Sequence, residues 1–192
     1  MGLDMKNLNV FSLAANDHLV QPEEFEDVQG HTSALSILTD FRRHKPHMVD
    51  CHMEASEAAE IMRAEDVSIK LVVDDQKEFV GVISLDDLSE HNMLLKQMAL
   101  HIKRDELQVK DLMHSRANIN AIDYEQFKRA NVADVVATLK KSHQDYLLVV
   151  DKDAHHIRGI VSSREISRRL HAPINIEKEL TFADIFTAVK VH

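Results

Sequence analysis

An internal repeat constrains this chain more than any other feature of its sequence. KLVVDDQKEFVGVISLDDLSE covers residues 70–90, and LLVVDKDAHHIRGIVSSREISR covers residues 147–168. Each segment has an apolar run that ends in Asp, a polar turn, and a second run rich in Val and Ile that begins at a Gly, Gly81 or Gly159. Self-similarity at this distance predicts two copies of one structural unit.

Each copy is predicted to fold as helix, strand, strand, helix. Two Val- and Ile-rich runs separated by a few polar residues are typical of a β-hairpin. Apolar residues at helical spacing precede each hairpin, over residues 58–62 and 132–139, and a second helical pattern follows it. Asn131, with Asp134 three residues later, indicates a helix start. Alternating helices and strands of this kind predict an α/β fold.

Segments outside the two copies are predicted to add short elements. Residues 31–44 and 177–191 show helical patterns, and the alternation around Ile119 predicts a short strand between the copies. The chain has only 4 Gly and 3 Pro, so flexible tethers are scarce and the copies are expected to pack together. The predicted boundaries are an N-terminal segment with a flanking helix at 1–43, a first domain at 44–106, a second domain at 107–172 and a C-terminal helix at 173–192.

Composition excludes several classes of protein. Lys and Arg total 23 against 32 for Asp and Glu, a net charge of -9 without a basic stripe, which disfavours nucleic-acid binding. The single cysteine, Cys51, has no disulfide or zinc-site partner, which favours a reducing cytoplasm. No apolar run is long enough for a signal peptide or a membrane span. We therefore expect a cytoplasmic protein that does not bind membranes.

Catalytic and metal-binding motifs are missing from the sequence. It contains no nucleophile elbow, no phosphate-binding loop and no zinc-protease motif. Asp74 and Asp75 are adjacent, so their side chains diverge and do not form an acid/base pair. The 13 histidines include His155 and His156 in the second hairpin turn, but adjacent side chains do not set up a shared metal face. The sequence predicts no catalytic residue, no metal site and no enzyme.

The most informative motif closes each copy: GVISLDD at residues 81–87 and GIVSSRE at residues 159–165. This pattern resembles the closing motif of CBS domains, in which a Gly opens the last strand, a Thr or Ser ends it, and an Asp three residues later faces a bound ribose. The preceding VVDD and VVDK, and VKDLM between the copies, are also similar to that family. The resemblance covers about residues 44 to 172 and implies a tandem CBS-domain pair with flanking helices.

The resemblance also implies a function and a set of site residues. CBS pairs pack their sheets together, often form homodimers, and bind adenosine-containing ligands in clefts between the copies. The expected ligand is AMP, ADP, ATP or S-adenosylmethionine, and no cofactor is required. By position in the motif, Ser84 and Asp87 would take the phosphate-side and ribose-side roles in one cleft. Ser162 and Glu165 would take the equivalent roles in the other.

General chemistry is consistent with that assignment. The N-terminus of a helix attracts phosphate oxygens through its unpaired N–H groups and its dipole. Arg164 follows Ser162 at such a helix start and is the arginine best placed to reach a phosphate. The apolar residues expected to hold the adenine are Ile69, Leu71, Val82 and Ile83 in the first copy and Tyr146, Leu148 and Ile160 in the second.

Other interpretations of the same residues remain open. Ser-x-x-Asp and Ser-x-x-Glu are also capping boxes, which stabilise a helix start whether or not a ligand binds. The main prediction is a stand-alone regulatory module that binds an adenine nucleotide and signals to an unknown protein partner. The alternatives are a structural or interaction protein without a small-molecule ligand, and a sensor of divalent cations that uses the acidic surface.

Overall fold

The computed structural model describes residues 28–170, which form two four-stranded sheets and six α-helices. The strands are β1 (Thr39–Asp40), β2 (Met48–Asp50), β3 (Ile69–Val73), β4 (Phe79–Ser84), β5 (His114–Ser115), β6 (Ala121–Asp123), β7 (Tyr146–Asp151) and β8 (His156–Ser162). The helices are α1 (Ala55–Ala64), α2 (Glu90–Leu100), α3 (Val109–Leu112), α4 (Tyr124–Arg129), α5 (Val132–Ser142) and α6 (Ser163–Leu170). Single turns of 3-10 helix lie at Ala34–Ile37, Arg104–Glu106 and Arg116–Asn118. The helix predicted over residues 177–191 lies outside the described residues.

The two copies have the same topology, which confirms the repeat and the α/β class. In the first, β2 is parallel to β3 and β3 is antiparallel to β4. In the second, β6, β7 and β8 repeat this arrangement. Both hairpins contain a register shift at the same place, after Val72 and after Val149. Asn131 caps α5 and accepts a hydrogen bond from the Asp134 N–H at 2.9 Å, as the sequence predicts.

The fourth strand of each sheet comes from the segment that precedes the other copy. The sheet orders are β2-β3-β4-β5 and β1-β8-β7-β6. β1, before the first copy, pairs with β8 of the second, so that Thr39 lies opposite Ile160. β5, before the second copy, pairs with β4 of the first, so that His114 lies opposite Val82. Neither sheet is complete without the other copy's lead-in strand.

Backbone hydrogen bonds extend this exchange beyond the two strands. The Ala34 N–H donates to the Ala130 carbonyl at 3.0 Å, at the entrance to α5. The Val109 N–H donates to the Met53 carbonyl at 2.9 Å, at the entrance to α1. These bonds satisfy backbone groups close to helix starts, where intrahelical partners are missing. Each lead-in segment is thereby fixed to the opposite copy at two places.

The helix predicted over residues 31–44 is a different structure. That segment forms the 3-10 turn at Ala34–Ile37 and then β1. Ser33 begins the turn, with its hydroxyl oxygen accepting the Leu35 N–H at 3.4 Å, and Ile37 is buried against the second copy. Pairing of Thr39 with β8 prevents the helix from continuing. Tertiary contacts here override a helical pattern.

Buried residues form three layers, two between helices and sheets and one between the sheets. The central layer contains Leu71 and Val82 from one sheet and Tyr146 and Leu148 from the other. The layer between the first sheet and its helices contains Val49, Cys51, Ala55, Ala58, Ala59, Met62, Val72, Ile83, Leu88, Met93, Leu107 and Val109. The layer on the second sheet contains Val28, Ala34, Ile37, Phe127, Val132, Val135, Leu139, Leu147, Val149, Val161 and Ile166. None of the helices between residues 28 and 170 has the length and apolar character to cross a bilayer.

The repeated glycines allow the lead-in strands to approach the hairpins closely. Both lie inside their strands, rather than at the start as the sequence suggested. A Cβ atom at Gly81 would lie 2.5 Å from the His114 carbonyl oxygen, and one at Gly159 would lie 2.5 Å from the Thr39 carbonyl oxygen. Those oxygens belong to backbone that is held in a sheet. The exchange of lead-in strands therefore requires glycine at both positions.

Gly81→Ala and Gly159→Ala are each expected to lower the free energy of unfolding by about 2 kcal/mol, because backbone must move to relieve the contact. Urea denaturation measures the change. Gly30→Ala is the matched control, since its Cβ would meet only the Ala133 Cβ at an ordinary 3.6 Å. The control is expected to change stability by less than about 0.5 kcal/mol. Equal stability of all three variants would show that the close approach is not a constraint.

Candidate functional site

The motif of the first copy forms a closed set of hydrogen bonds at the end of β4. The Ser84 N–H and hydroxyl donate to Asp87 Oδ2 at 2.8 and 2.6 Å, and the Asp87 N–H donates to Ser84 Oγ at 3.1 Å. His114 Nε2 lies 3.0 Å from Asp87 Oδ1. The Asp87 side chain is only 16% exposed. Both carboxylate oxygens therefore already have partners within the chain.

This environment changes the acidity of Asp87. Burial raises the pKa of the carboxyl, but hydrogen bonds from His114 and Ser84 lower it by more, so the pKa of Asp87 lies below its usual 3.8. The group is ionised near neutral pH. A carboxylate with two partnered oxygens functions here first as a cap that fixes the β4 end.

The motif of the second copy is arranged differently. The Glu165 N–H donates to Ser162 Oγ at 3.2 Å, but the longer Glu165 side chain turns to the arginines of its own helix. Arg168 Nη2 and Arg169 Nε donate to Glu165 Oε1 at 3.0 and 2.7 Å. Burial raises the pKa of Glu165, and the two arginines lower it by more. Among residues 28–170 the Ser162 hydroxyl hydrogen has no acceptor, so Ser162 keeps a donor that Ser84 has used.

Both motif serines line one cavity between the ends of β4 and β8. This serine cavity has a volume of about 250 Å³. Its walls are Ser68, Ile69, Ser84, Leu85, Asp86, Asp145, Ser162, Ser163 and Arg164. Asp87 and Glu165 are not part of these walls, because their carboxylates point to His114 and to α6. The two repeated motifs meet at this cavity through their hydroxyl groups.

A second cavity lies between the sheets and shares Ile69 with the first. This apolar slot has a volume of about 190 Å³. Its walls are Thr39, Phe41, His44, Lys45, Pro46, His47, Ile69, Leu71 and Ile160. Ile160 and Ser162 are two residues apart in β8 and therefore lie on the same face of the sheet. That face of the second sheet leads from the apolar slot at Ile160 to the serine cavity at Ser162.

The structure brings together most, but not all, of the residues predicted for the site. Ile69 and Leu71 line the apolar slot, and Arg164 lines the serine cavity, where its Nη2 lies 3.4 Å from Asp66 Oδ1. Ile83 is fully buried in the layer between the first sheet and its helices, on the face of β4 opposite Ser84. The structure therefore does not bring Ile83 to either cavity.

Tyr146 lies in the central layer between the sheets and is 7% exposed. Burial raises the pKa of its phenol, with a smaller contribution from the charge of Asp87. The His114 ring meets the Tyr146 ring edge to face, with centroids 6.4 Å apart. Tyr146 and His114 thus contact each other beside Asp87.

Sequence reasoning missed the residues that the lead-in strands contribute. Thr39 and Phe41 reach the apolar slot, and His114 reaches Asp87, only because β1 and β5 join the opposite copies. Two-residue strands have no periodicity that a sequence could reveal. One indirect signal was available, because VKDLM, which resembles the entry to a second domain, directly precedes His114.

Comparison with a family model decides the class of this fold. The model described as "CBS domain" matches residues 38–93 and again residues 109–172. The chain belongs to the CBS domain family. The resemblance seen in the two motifs is therefore confirmed, and the protein contains a tandem CBS pair. No curated protein sequence matches this chain.

Solved structures share the CBS-pair fold at low sequence identity. An uncharacterized conserved protein from Pyrococcus horikoshii superposes with a TM-score of 0.55 at 14% identity, covering 77% of this chain and 98% of that chain. CBSX2 from Arabidopsis thaliana, solved in complex with AMP, gives a TM-score of 0.50 at 24% identity. The match covers 71% of this chain and 94% of that chain. A hemolysin-like protein containing a CBS domain, from Oenococcus oeni, gives a TM-score of 0.51 at 16% identity. The match covers 73% of this chain and 91% of that chain. At these identities the similarity establishes the fold.

Asp87→Asn is expected to lower the free energy of unfolding by about 1 kcal/mol near neutral pH, because the capping hydrogen bonds weaken. The folded pKa of Asp87 lies below the unfolded value of 3.8, so the carboxylate stabilises the fold above that pH. The difference in the free energy of unfolding between wild type and variant should become smaller as the pH falls below 3.8. Urea unfolding over a pH series measures it.

Asp86→Asn is the matched control for that experiment. Asp86 is the adjacent carboxylate, it is exposed, and its side chain forms no hydrogen bond or ion pair within residues 28–170. Its replacement should leave stability within about 0.5 kcal/mol at every pH. The capping account fails if Asp86→Asn and Asp87→Asn give the same pH profile.

Proposed function

We propose that this CBS pair is a regulatory module, rather than an enzyme, that binds an adenosine-containing nucleotide between its two copies. In this proposal the adenine lies in the apolar slot and the ribose and phosphate lie in the serine cavity. Ligand binding changes the packing of the two sheets and thereby a surface that a protein partner recognises. The single observation that carries the proposal is the position of Ser84 and Ser162, from separate copies, in the walls of one cavity.

The size and chemistry of the two cavities support this assignment. Each cavity is smaller than the range of about 300–1,000 Å³ that is usual for small-molecule sites, so a nucleotide would need both. Phe41, Leu71 and Ile160 offer apolar and aromatic surface to a base. The ribose and phosphate need hydrogen-bond donors and acceptors, which the serine cavity has. CBSX2, with a similar fold, was solved with AMP bound.

The phosphate side is assigned to the second motif. Ser162 ends β8 directly before α6, and its hydroxyl hydrogen has no acceptor among residues 28–170. Arg164 is one residue into α6 beyond Ser163, and its side chain is 62% exposed. Its only side-chain partner there, Asp66, is 92% exposed, so little free energy opposes movement of Arg164 to a phosphate. A hydroxyl, a guanidinium and a helix start together form an anion site.

The motif acids act in this proposal mainly as positioning residues. Asp87 holds the Ser84 hydroxyl, and the Arg169–Glu165 contact fixes the first turn of α6. A ribose hydroxyl that donates to Asp87 Oδ1 would share that oxygen with His114 or displace the imidazole. In the second copy, a ribose hydroxyl would compete with the arginines of α6 for the Glu165 carboxylate. Either displacement would couple ligand binding to the packing of a neighbouring element.

Arg164→Gln is expected to weaken AMP binding about tenfold, because it removes a charge-assisted hydrogen bond to the phosphate. Adenosine has no phosphate, and its affinity should stay within about twofold. Isothermal titration calorimetry with AMP, ADP, ATP, S-adenosylmethionine and adenosine measures both. Arg129→Gln, which removes an exposed arginine of α4 outside both cavities, is the matched control.

Two results would contradict the proposal. The first is the absence of heat from every adenosine compound at millimolar concentration. The second is an equal loss of AMP and adenosine affinity in Arg164→Gln, which would place the phosphate elsewhere.

A protein with a purely structural or interaction role is the second candidate function. The observation that favours it is that both carboxylate oxygens of Asp87 already have hydrogen-bond partners within the chain. In that case the motifs serve as helix caps and no adenosine compound binds. The calorimetric titration above distinguishes the two functions.

Homodimer formation is part of the proposal and is supported by the surface of α2. Leu94, Leu95 and Met98 are 55%, 52% and 65% exposed and lie within one turn of the helix. Isolated apolar residues on a surface are common, but a group of this kind is typical of an interface. A two-fold axis would place the same group on both subunits and cover it completely. Leu35, at 42% exposure, lies on the 3-10 turn that packs against α4, α5 and α6, whereas α2 packs against α3 and the turn at Arg104–Glu106.

Met98→Glu is expected to convert a dimer to a monomer, because a charge in the centre of an apolar interface has no partner. Size-exclusion chromatography with light scattering measures the mass. Leu35→Glu is the matched control, with the same kind of change at an exposed apolar residue of the 3-10 turn. A monomeric wild type, or a dimer that tolerates Met98→Glu, would rule out α2 as the interface.

A further inference from the structure

A cavity lined by four arginines lies at the edge of the second sheet, away from the space between the sheets. Its volume is about 490 Å³. We call it the arginine cavity and define it by Arg42, Arg43, Arg158 and Arg169 together with Asp40. Its walls also include Leu38 and Tyr124, which pack against the core between the second sheet and its helices. The apolar slot borders the central layer instead, so the two cavities lie on different faces of the sheet, although His44 lines both.

Two of the four guanidinium groups are held in place by the fold. Arg158 Nε and Nη2 donate to the two carboxylate oxygens of Asp40, both at 2.9 Å. The Arg158 guanidinium carbon also lies 4.5 Å from the centre of the Tyr124 ring. Hydrogen bonding to Arg158 lowers the pKa of Asp40 to about 2, against the opposing effect of burial, so this pair stays ionised. Arg158 therefore forms a fixed part of the cavity wall, and Asp40 balances its charge.

Arg169 is fixed in a similar way on the other side of the cavity. Its Nη1 donates to the Ser36 carbonyl oxygen at 2.6 Å, and its Nε donates to Glu165 Oε1 at 2.7 Å. Glu165 is shared with Arg168, so one carboxylate serves two guanidinium groups. These contacts hold the Arg169 guanidinium in the wall of the cavity.

Arg42 and Arg43 provide positive charge that no ion pair balances among the residues that the structure describes. Both are exposed, and within residues 28–170 neither side chain forms a hydrogen bond or an ion pair. Two adjacent arginines repel each other, and this repulsion is relieved when an anion lies between or beside them. The charge is also local, because the whole chain has a net charge of -9. A cavity of this sign in an acidic protein concentrates anions at one place.

We propose that the arginine cavity is a second ligand site, distinct from the apolar slot and the serine cavity, and that it binds a diphosphate group. Guanidinium groups bind phosphate oxygens through paired hydrogen bonds, and a diphosphate presents enough oxygens for several of them at once. The cavity is within the usual size range of about 300–1,000 Å³ for small-molecule sites. Donors on Arg158 and Arg169 that the fold already holds in place reduce the entropy lost on binding, and the exposed guanidinium groups of Arg42 and Arg43 add further donors. The diphosphate comes either as a free anion or as part of a nucleotide.

Calorimetric titration of the full chain with inorganic pyrophosphate at about 0.15 M salt tests the proposal. The double variant Arg42→Gln/Arg43→Gln is expected to bind pyrophosphate at least about tenfold more weakly than wild type. The control is Arg116→Gln/Arg129→Gln, which removes the same charge from exposed arginines outside the cavity. Its affinity should stay within about twofold of wild type. Both variants alter exposed side chains, and circular dichroism confirms that they remain folded.

Further titrations distinguish binding in the arginine cavity from binding in the serine cavity, and they identify the source of the diphosphate. Arg164→Gln should leave pyrophosphate affinity unchanged, whatever its effect on AMP. ADP that competes with pyrophosphate in wild type would indicate a nucleotide source, and ADP that does not compete would indicate a free anion. The proposal is overturned if wild type does not bind pyrophosphate at millimolar concentration. It is also overturned if the control variant loses as much affinity as Arg42→Gln/Arg43→Gln, because net charge alone would then explain binding.

Discussion

The close contact between each lead-in strand and the opposite hairpin is the constraint on which the rest of this structure depends. β1 lies against Gly159 and β5 lies against Gly81, at distances that leave no space for a Cβ atom. Each copy completes the sheet of the other, so the lead-in strands hold the two copies together. A simple chain of two domains joined by a linker would have no such restraint.

That restraint explains how one shared cavity can arise from two copies of one short motif. The ends of β4 and β8 each present a serine on the face that points toward the other sheet. Exchange of the lead-in strands brings these ends together, so that Ser84 and Ser162 share one cavity. The same exchange supplies Thr39 to the apolar slot and His114 to Asp87. The two sides of the site thereby acquire different chemistry from one repeated sequence.

The sequence predicts the units of this fold better than their assembly. The duplicated hairpins, the cap at Asn131 and the family itself follow from periodicity, capping chemistry and motif spacing. Strand alternation could also have shown that Ile83 faces the helices, since Val82 and Ser84 occupy the other face of β4. Likewise, the spacing of Glu165 from Arg169 predicts an ion pair on α6. The contact of His114 with Asp87 was beyond prediction, because it depends on tertiary pairing of a two-residue strand.

The central claim is that the cavities between the two sheets bind an adenosine-containing ligand. Nuclear magnetic resonance of methyl-labelled isoleucine and leucine during an AMP titration tests it most directly. The account predicts that the methyl signals of Ile69, Leu71 and Ile160 shift in a saturable manner, while that of Ile61 on α1 stays in place. Unchanged signals at Ile69, Leu71 and Ile160 with AMP, ADP, ATP and S-adenosylmethionine would contradict it.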